Sequence, residues 1–125
     1  MDFRELYERA GSVAKPVKLS EYGESGVVGA AILTDAGNVY VGVNIDTACS
    51  MGFCAEHAAA AAMLTAGERI IRRVIAVGYE GNIMPPCGRC REFMSQLADE
   101  NAEAEVMVNE NTIVRLKDLL PYSWR

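Results

Sequence analysis

Three cysteines and one glutamate have the types and spacing to do chemistry. Cys54 is followed two positions later by Glu56, in Cys54-Ala55-Glu56. Further along the chain comes Pro86-Cys87-Gly88-Arg89-Cys90. Both segments fall where helices are predicted to begin. A helix N-terminus carries about half a positive charge and unpaired N–H groups. A cysteine placed there has a lowered pKa, and the thiolate is the form that ligates a metal. Three thiolates around Zn²⁺ leave one tetrahedral position open, which marks a catalytic rather than a structural site. Glu56, in the first helical turn, can point past such an ion without ligating it. The alternative is a closed zinc staple with Cys49 as fourth ligand. Cys49 reads better as a small buried hydrophobe.

The elements that must position these residues follow from the apolar pattern. Phe3, Leu6, Tyr7, Ala10, Val13 and Ala14 recur at helical spacing, and Pro16 stops that helix. Residues 17–26 carry loop punctuation. Val27 to Leu33 and Asn38 to Ile45 predict a β-hairpin around Thr34-Asp35-Ala36-Gly37. Residues 46–53 read as loop. Residues 54–66 hold seven alanines before Gly67, a helix with a glycine stop. Ile70 to Tyr79 is apolar almost without break, as for a strand buried on both faces. Loop 81–86, a helix from Cys87 to Ala98, strands 104–108 and 112–115 and a helical turn at Leu116–Leu120 complete the chain. The expectation is one three-layer α-β-α domain over residues 1–125, an α/β fold with a mixed sheet of about five strands.

Composition narrows the function classes. The 125 residues carry a net charge of −5, with half the chain hydrophobic and 23% charged. That is the composition of a globular domain, not of a disordered chain. An acidic balance disfavours nucleic-acid backbones and anionic membrane surfaces. The longest apolar run, Ala58 to Leu64, is far short of the roughly 20 residues that a membrane span needs. The charged start Met1-Asp2-Phe3-Arg4-Glu5 lacks signal-peptide character, so the cytoplasm is the expected location, with cysteines free for metal.

A ligand-x-Glu element followed by P-C-x-x-C is the pattern of zinc deaminases. The chain resembles the cytidine deaminase superfamily in its small three-cysteine form, close to cytidine deaminases and blasticidin S deaminases. Val28-Gly29-Ala30-Ala31 resembles the family's first strand, and Gly42-Val43-Asn44-Ile45-Asp46 its second. Cys87-Gly88-Arg89-Cys90-Arg91 is especially like blasticidin S deaminase. Leu119-Leu120-Pro121 resembles the C-terminal end of both groups.

The resemblance implies hydrolysis at C4 of a cytosine-type nucleoside. One zinc would be held by Cys54, Cys87 and Cys90, with Glu56 as base and then acid. Zinc with three thiolates leaves one net negative charge, which raises the pKa of a bound water and calls for compensation. Arg89 and Arg91 are candidate donors to the sulfurs. In many three-cysteine relatives an arginine follows the glutamate, and His57 stands there in this chain. His57 is either a donor to a thiolate or a helix-face residue packed at a subunit contact, and is poorly suited to ligate.

For the substrate, Asn44 and Asp46 lie two apart on one side of a strand. In cytidine deaminases an Asn and a Glu so spaced hold the ribose, and Asp46 is one methylene shorter. The bland alternative is a polar strand end. Phe53 and Ala55 are candidate pocket residues. Trp124, with Tyr122, is a candidate cover for the active site of its own or a neighbouring subunit, or else a tail docked on its own core. Gly26 occupies the place where these relatives usually carry an aromatic. Resemblance also implies a homotetramer.

Three other readings stand beside a free-nucleoside deaminase: a blasticidin S-type resistance enzyme, a polynucleotide-editing deaminase, and a non-catalytic zinc-stapled domain. The charge disfavours the second.

Overall fold

The computed structural model describes residues 1–125. Helix α1 (Phe3–Val13) starts with a capping box. Asp2 accepts from the Glu5 N–H at 3.0 Å, and the Glu5 carboxylate accepts from the Asp2 N–H at 3.3 Å. It ends before Pro16 and buries Leu6 and Ala10 completely.

The strands are β1 (Val17–Ser20), β2 (Gly23–Thr34), β3 (Val39–Thr47), β4 (Ile71–Gly78), β5 (Ile83–Met84), β6 (Glu105–Asn109) and β7 (Thr112–Arg115). Pairing registers place five of them across the sheet in the order β3-β2-β4-β6-β7. Only β4 and β6 run parallel, so the sheet is mixed. The two short strands lengthen existing rows: β1 pairs with the start of β2, and β5 with the end of β4.

Two helices cover the face opposite α1: α2 (Ala55–Thr65) and α3 (Gly88–Leu97). The cores divide accordingly. Leu6, Ala10, Ala31, Leu33, Ile75 and Val77 pack between α1 and the sheet. Ile32, Val74 and Ala76 face Ala59, Ala60, Met63 and Met94 on the other side. Strand β4 thus sends alternate residues into both cores, which explains its unbroken apolar run. The three-layer α-β-α architecture is the one expected.

Two segments differ from the sequence expectation. Residues 17–26 are not loop: β1 and the extended start of β2 form a hairpin there. All four residues of β1 are exposed, so no burial pattern marked it. Segment 81–86 contains the two-residue β5. In addition, β3 runs on to Thr47 before a short 3₁₀ turn, Ala48–Ser50.

Candidate active site

Cys54 and Cys87 occupy equivalent places. Each is the N-cap of its helix, in extended backbone, at the start of α2 and α3 respectively. Cys90 lies one turn into α3 and is 1% exposed. The sulfurs of Cys54 and Cys87 are 3.4 Å apart. All three sulfurs lie within 4.8 Å of one another. Cys49 is not part of the group; it is exposed, in the turn after β3. This corrects the reading of Cys49 as buried, and it leaves the cluster with three thiols, not four.

The donor set suits a cation. Burial pushes the Cys54 thiol up, aided by its contact with Cys87. Burial, then the Glu56 charge, drives Cys90 far above the ordinary thiol value. Burial also opposes ionisation of Cys87, but the Cys90 N–H and the neighbouring thiols outweigh it and lower its pKa. Three thiols that cannot ionise together become thiolates when a divalent ion joins them.

Glu56 is 4% exposed in the first turn of α2. Burial raises its pKa. It lines a cavity of about 500 Å³ together with Cys54, Ala55 and Cys87. Asn44, Asp46, Phe53 and Arg89 line the same cavity.

Asn44 is oriented by a defect in the sheet. The β2–β3 register shifts between Ser25 and Gly29. There the Val28 N–H donates to Asn44 Oδ1 at 2.8 Å, in place of a backbone carbonyl. The Asn44 amide in turn donates to Asp46 Oδ2 at 3.1 Å. Phe53 is pinned to β3 by reciprocal backbone bonds with Ile45, both 2.9 Å. Gly52 permits that approach, because a Cβ there would sit 1.8 Å from the Ile45 carbonyl oxygen.

Other expected residues lie elsewhere. His57 is sandwiched between Phe53 and Phe93, with ring centroids 4.8 and 4.4 Å away. Its Nδ1 is buried without a partner. Burial, then the Arg89 charge, lowers its pKa. No hydrogen bond joins His57 to a thiol, and its neighbours within the chain are the two phenylalanine rings. Arg91 donates to the Pro86 carbonyl at 2.8 Å, so it fastens the loop before Cys87 rather than a sulfur. Trp124 is 75% exposed and donates its indole N–H to Glu92 on α3 at 3.1 Å. Within one chain it does not line the cavity. Met84, Pro85 and Thr47 line the cavity and were not anticipated. The run Pro85-Pro86 ahead of Cys87 was the signal available for the second of these.

Buried carboxylate, three converging thiols and a three-layer fold define a zinc-dependent deaminase. A family model described as the cytidine and deoxycytidylate deaminase zinc-binding region matches residues 4–105. The cytidine deaminase of Mycobacterium tuberculosis is 33% identical over 96 residues, spanning 75% of this chain and 69% of the relative. That of Halalkalibacterium halodurans is 34% identical over 98 residues, 75% and 74% of the two chains. Among solved structures, cytidine deaminase from M. tuberculosis superposes with a TM-score of 0.83 at 29% identity, covering 100% of this chain and 98% of that one. The Burkholderia pseudomallei cytidine deaminase gives 0.80 at 28% identity, covering 99% and 100%. The chain belongs to the cytidine and deoxycytidylate deaminase family.

Proposed function

We infer that the protein hydrolytically deaminates a cytosine nucleoside, such as cytidine or deoxycytidine, to the uracil nucleoside and ammonia. The observation that carries this is buried Glu56 sharing one cavity with the thiols of Cys54 and Cys87, with Cys90 beside them. Those three sulfurs would hold zinc, which makes water acidic enough to serve as nucleophile near neutral pH. Glu56 takes a proton from that water and returns protons to the ring nitrogen and to the departing amino group. Water oxygen becomes the C4 carbonyl as the C–N bond breaks. Burial raises the pKa of Glu56, which makes its carboxylate a stronger base for the first of these tasks. Asn44 and Asp46 hold the sugar, and Phe53 and Ala55 bound the ring. Arg89 brings positive charge close to the thiolates.

Gly26 favours a second reading, deamination of a modified cytosine nucleoside of the blasticidin S type. Its φ is +84° and a Cβ would meet the Lys15 carbonyl oxygen at 2.0 Å. No side chain fits there, so the aromatic that the resemblance implies is missing from this position.

The test is ultraviolet-monitored deamination of cytidine, deoxycytidine, cytosine and blasticidin S by zinc-loaded protein. Turnover of at least one nucleoside is expected, with Glu56→Ala reducing it about 10²–10⁴-fold while fold and zinc content persist. An inactive wild type, or an unaffected Glu56→Ala, would overturn the reading. Cytidine turnover places the enzyme in pyrimidine salvage; turnover of blasticidin S alone makes it a resistance enzyme.

We further propose one deaminase domain over residues 1–125, assembled as a homotetramer. Met51, Tyr122 and Trp124, at 73%, 104% and 75% exposure, are the apolar groups that subunit contacts would cover. In such an assembly Trp124 could reach a neighbour's cavity. A cytoplasmic location fits the four unpaired cysteines. No helix is long and apolar enough to cross a membrane.

A further inference from the structure

Phe53 is the one aromatic side chain in the wall of the catalytic cavity. Its backbone is fixed by the two bonds to Ile45, but those bonds leave the ring free to choose among its rotamers. The core does not hold the ring either. Phe93 packs against the core that contains Ala55, Cys90 and Met94, and Phe53 is not among the side chains packed there. What the Phe53 ring meets is His57, with centroids 4.8 Å apart and planes tilted by 31°. His57 in turn stacks on Phe93, at 4.4 Å and 12°. Three rings thus form a column that runs from α3, through the first turn of α2, to the cavity wall.

The column stands beside the thiols. Phe53 precedes Cys54, His57 lies three residues after Cys54, and Phe93 lies three residues after Cys90. Residues three apart on a helix share a face, so a ring held by this column is held relative to the site of chemistry. A histidine is an unexpected middle member. Its Nδ1 is shielded from solvent and has no hydrogen-bond partner. Buried polar atoms are ordinarily satisfied. The chain leaves that nitrogen idle and uses the two flat faces of the ring.

We propose that His57 is a positioning residue that acts by the shape of its ring: as the middle of the column it fixes Phe53 in the wall against which the pyrimidine lies. The inference rests on the reading of this cavity as a cytosine nucleoside deaminase site. Phe53 makes the contact with substrate, His57 sets where that contact is made, and Phe93 sets where His57 stands. The role needs an aromatic ring and neither of its nitrogens. A Phe53 ring that swings away weakens binding of the ground state and of the transition state alike, which raises KM and leaves kcat in place.

The experiment measures kcat and KM separately for zinc-loaded wild type, His57→Ala, His57→Asn and His57→Phe, on whichever of cytidine, deoxycytidine and blasticidin S the wild type turns over fastest. His57→Ala and His57→Asn should raise KM about fivefold to tenfold, the scale of one lost aromatic pair, with kcat held within about twofold. His57→Phe should restore KM. Phe93→Leu, at the far end of the column and outside the cavity wall, should reproduce the rise in KM, and the double variant with His57→Ala should add little to it. Zinc content should be the same in every variant. A histidine that served a thiolate through a nitrogen would give the reverse order, with His57→Asn tolerated and His57→Phe losing zinc or kcat; that order overturns the proposal, and so does a KM indifferent to His57→Ala. If the smaller side chains leave the chain unfolded, His57→Phe and Phe93→Leu carry the same test, because a raised KM in the first or an unmoved KM in the second overturns the column. A wild type that turns over none of the three compounds overturns the reading of the cavity, and the positioning role with it.

Discussion

The backbone at Gly26 leaves no room for a side chain. With φ at +84° and the Lys15 carbonyl against the missing Cβ, even alanine is excluded. Gly26→Ala should cost about 2–4 kcal/mol of stability, from left-handed strain plus the clash. Chemical denaturation measures it, and a change below about 0.5 kcal/mol, the size of an ordinary surface substitution, would mean that the Lys15 segment yields freely. Residues of this kind separate what sequence can tell from what it cannot. Cys54, Glu56, Cys87 and Cys90 were legible because local spacing places them at two helix starts. The partners of His57, Arg91 and Trp124 were not, because packing between distant segments chooses them. His57 found Phe93 across the α2–α3 interface, and Arg91 found a backbone carbonyl instead of a sulfur.

Among the elements, helices and the central hairpin were legible from periodicity, and β4 from its apolar run. The hairpin at 17–26 was hidden because β1 buries nothing, and β5 because two residues carry no pattern. Connections between elements rest on a few polar groups. Asn101 is fully buried and joins the segment after α3 to the start of β4. It accepts from the Ile71 N–H at 2.7 Å and donates to the Arg69 and Met94 carbonyls at 3.0 and 2.9 Å. Asn101→Leu strands these three groups and should cost about 2–4 kcal/mol, read by thermal or urea unfolding. Glu68 ties the end of α2 to the β2–β3 hairpin, accepting from Tyr40, Thr34 and Asn38. These bonds, Tyr40 first, hold its carboxyl below the usual 4.5. A depressed folded pKa contributes stability that is fully present above the unfolded value and lost as pH falls through the folded one. Wild type should therefore exceed Glu68→Gln in urea stability at pH 7, with the gap closing below about pH 4.5. A gap that does not narrow as pH falls below 4.5 would remove the carboxylate from the account.

In the molecule as a whole, three layers converge on one cluster. The thiols sit where α2 and α3 begin, so an ion there ties together two helices that meet at few other points. Zinc removal by a chelator should lower the melting temperature by several degrees, since a ligand bound only to the folded state stabilises it. Thiol reactivity gives an independent reading. In zinc-loaded protein Cys49 should react quickly and alone with an aromatic disulfide. After chelation the exposed Cys87 should follow, and buried Cys90 last. Equal reactivity before and after chelation would show that the cluster holds no ion. The chain's single tryptophan has its own bearing on such experiments. Trp124 hangs by one indole bond from Glu92, two residues beyond Cys90, with Arg125 bonded to Ser95 alongside. Its fluorescence is thus an optical gauge of whether the tail is latched to α3. In a melting experiment it will respond at the temperature where the latch lets go, which need not be the temperature at which the β-sheet loses its circular dichroism.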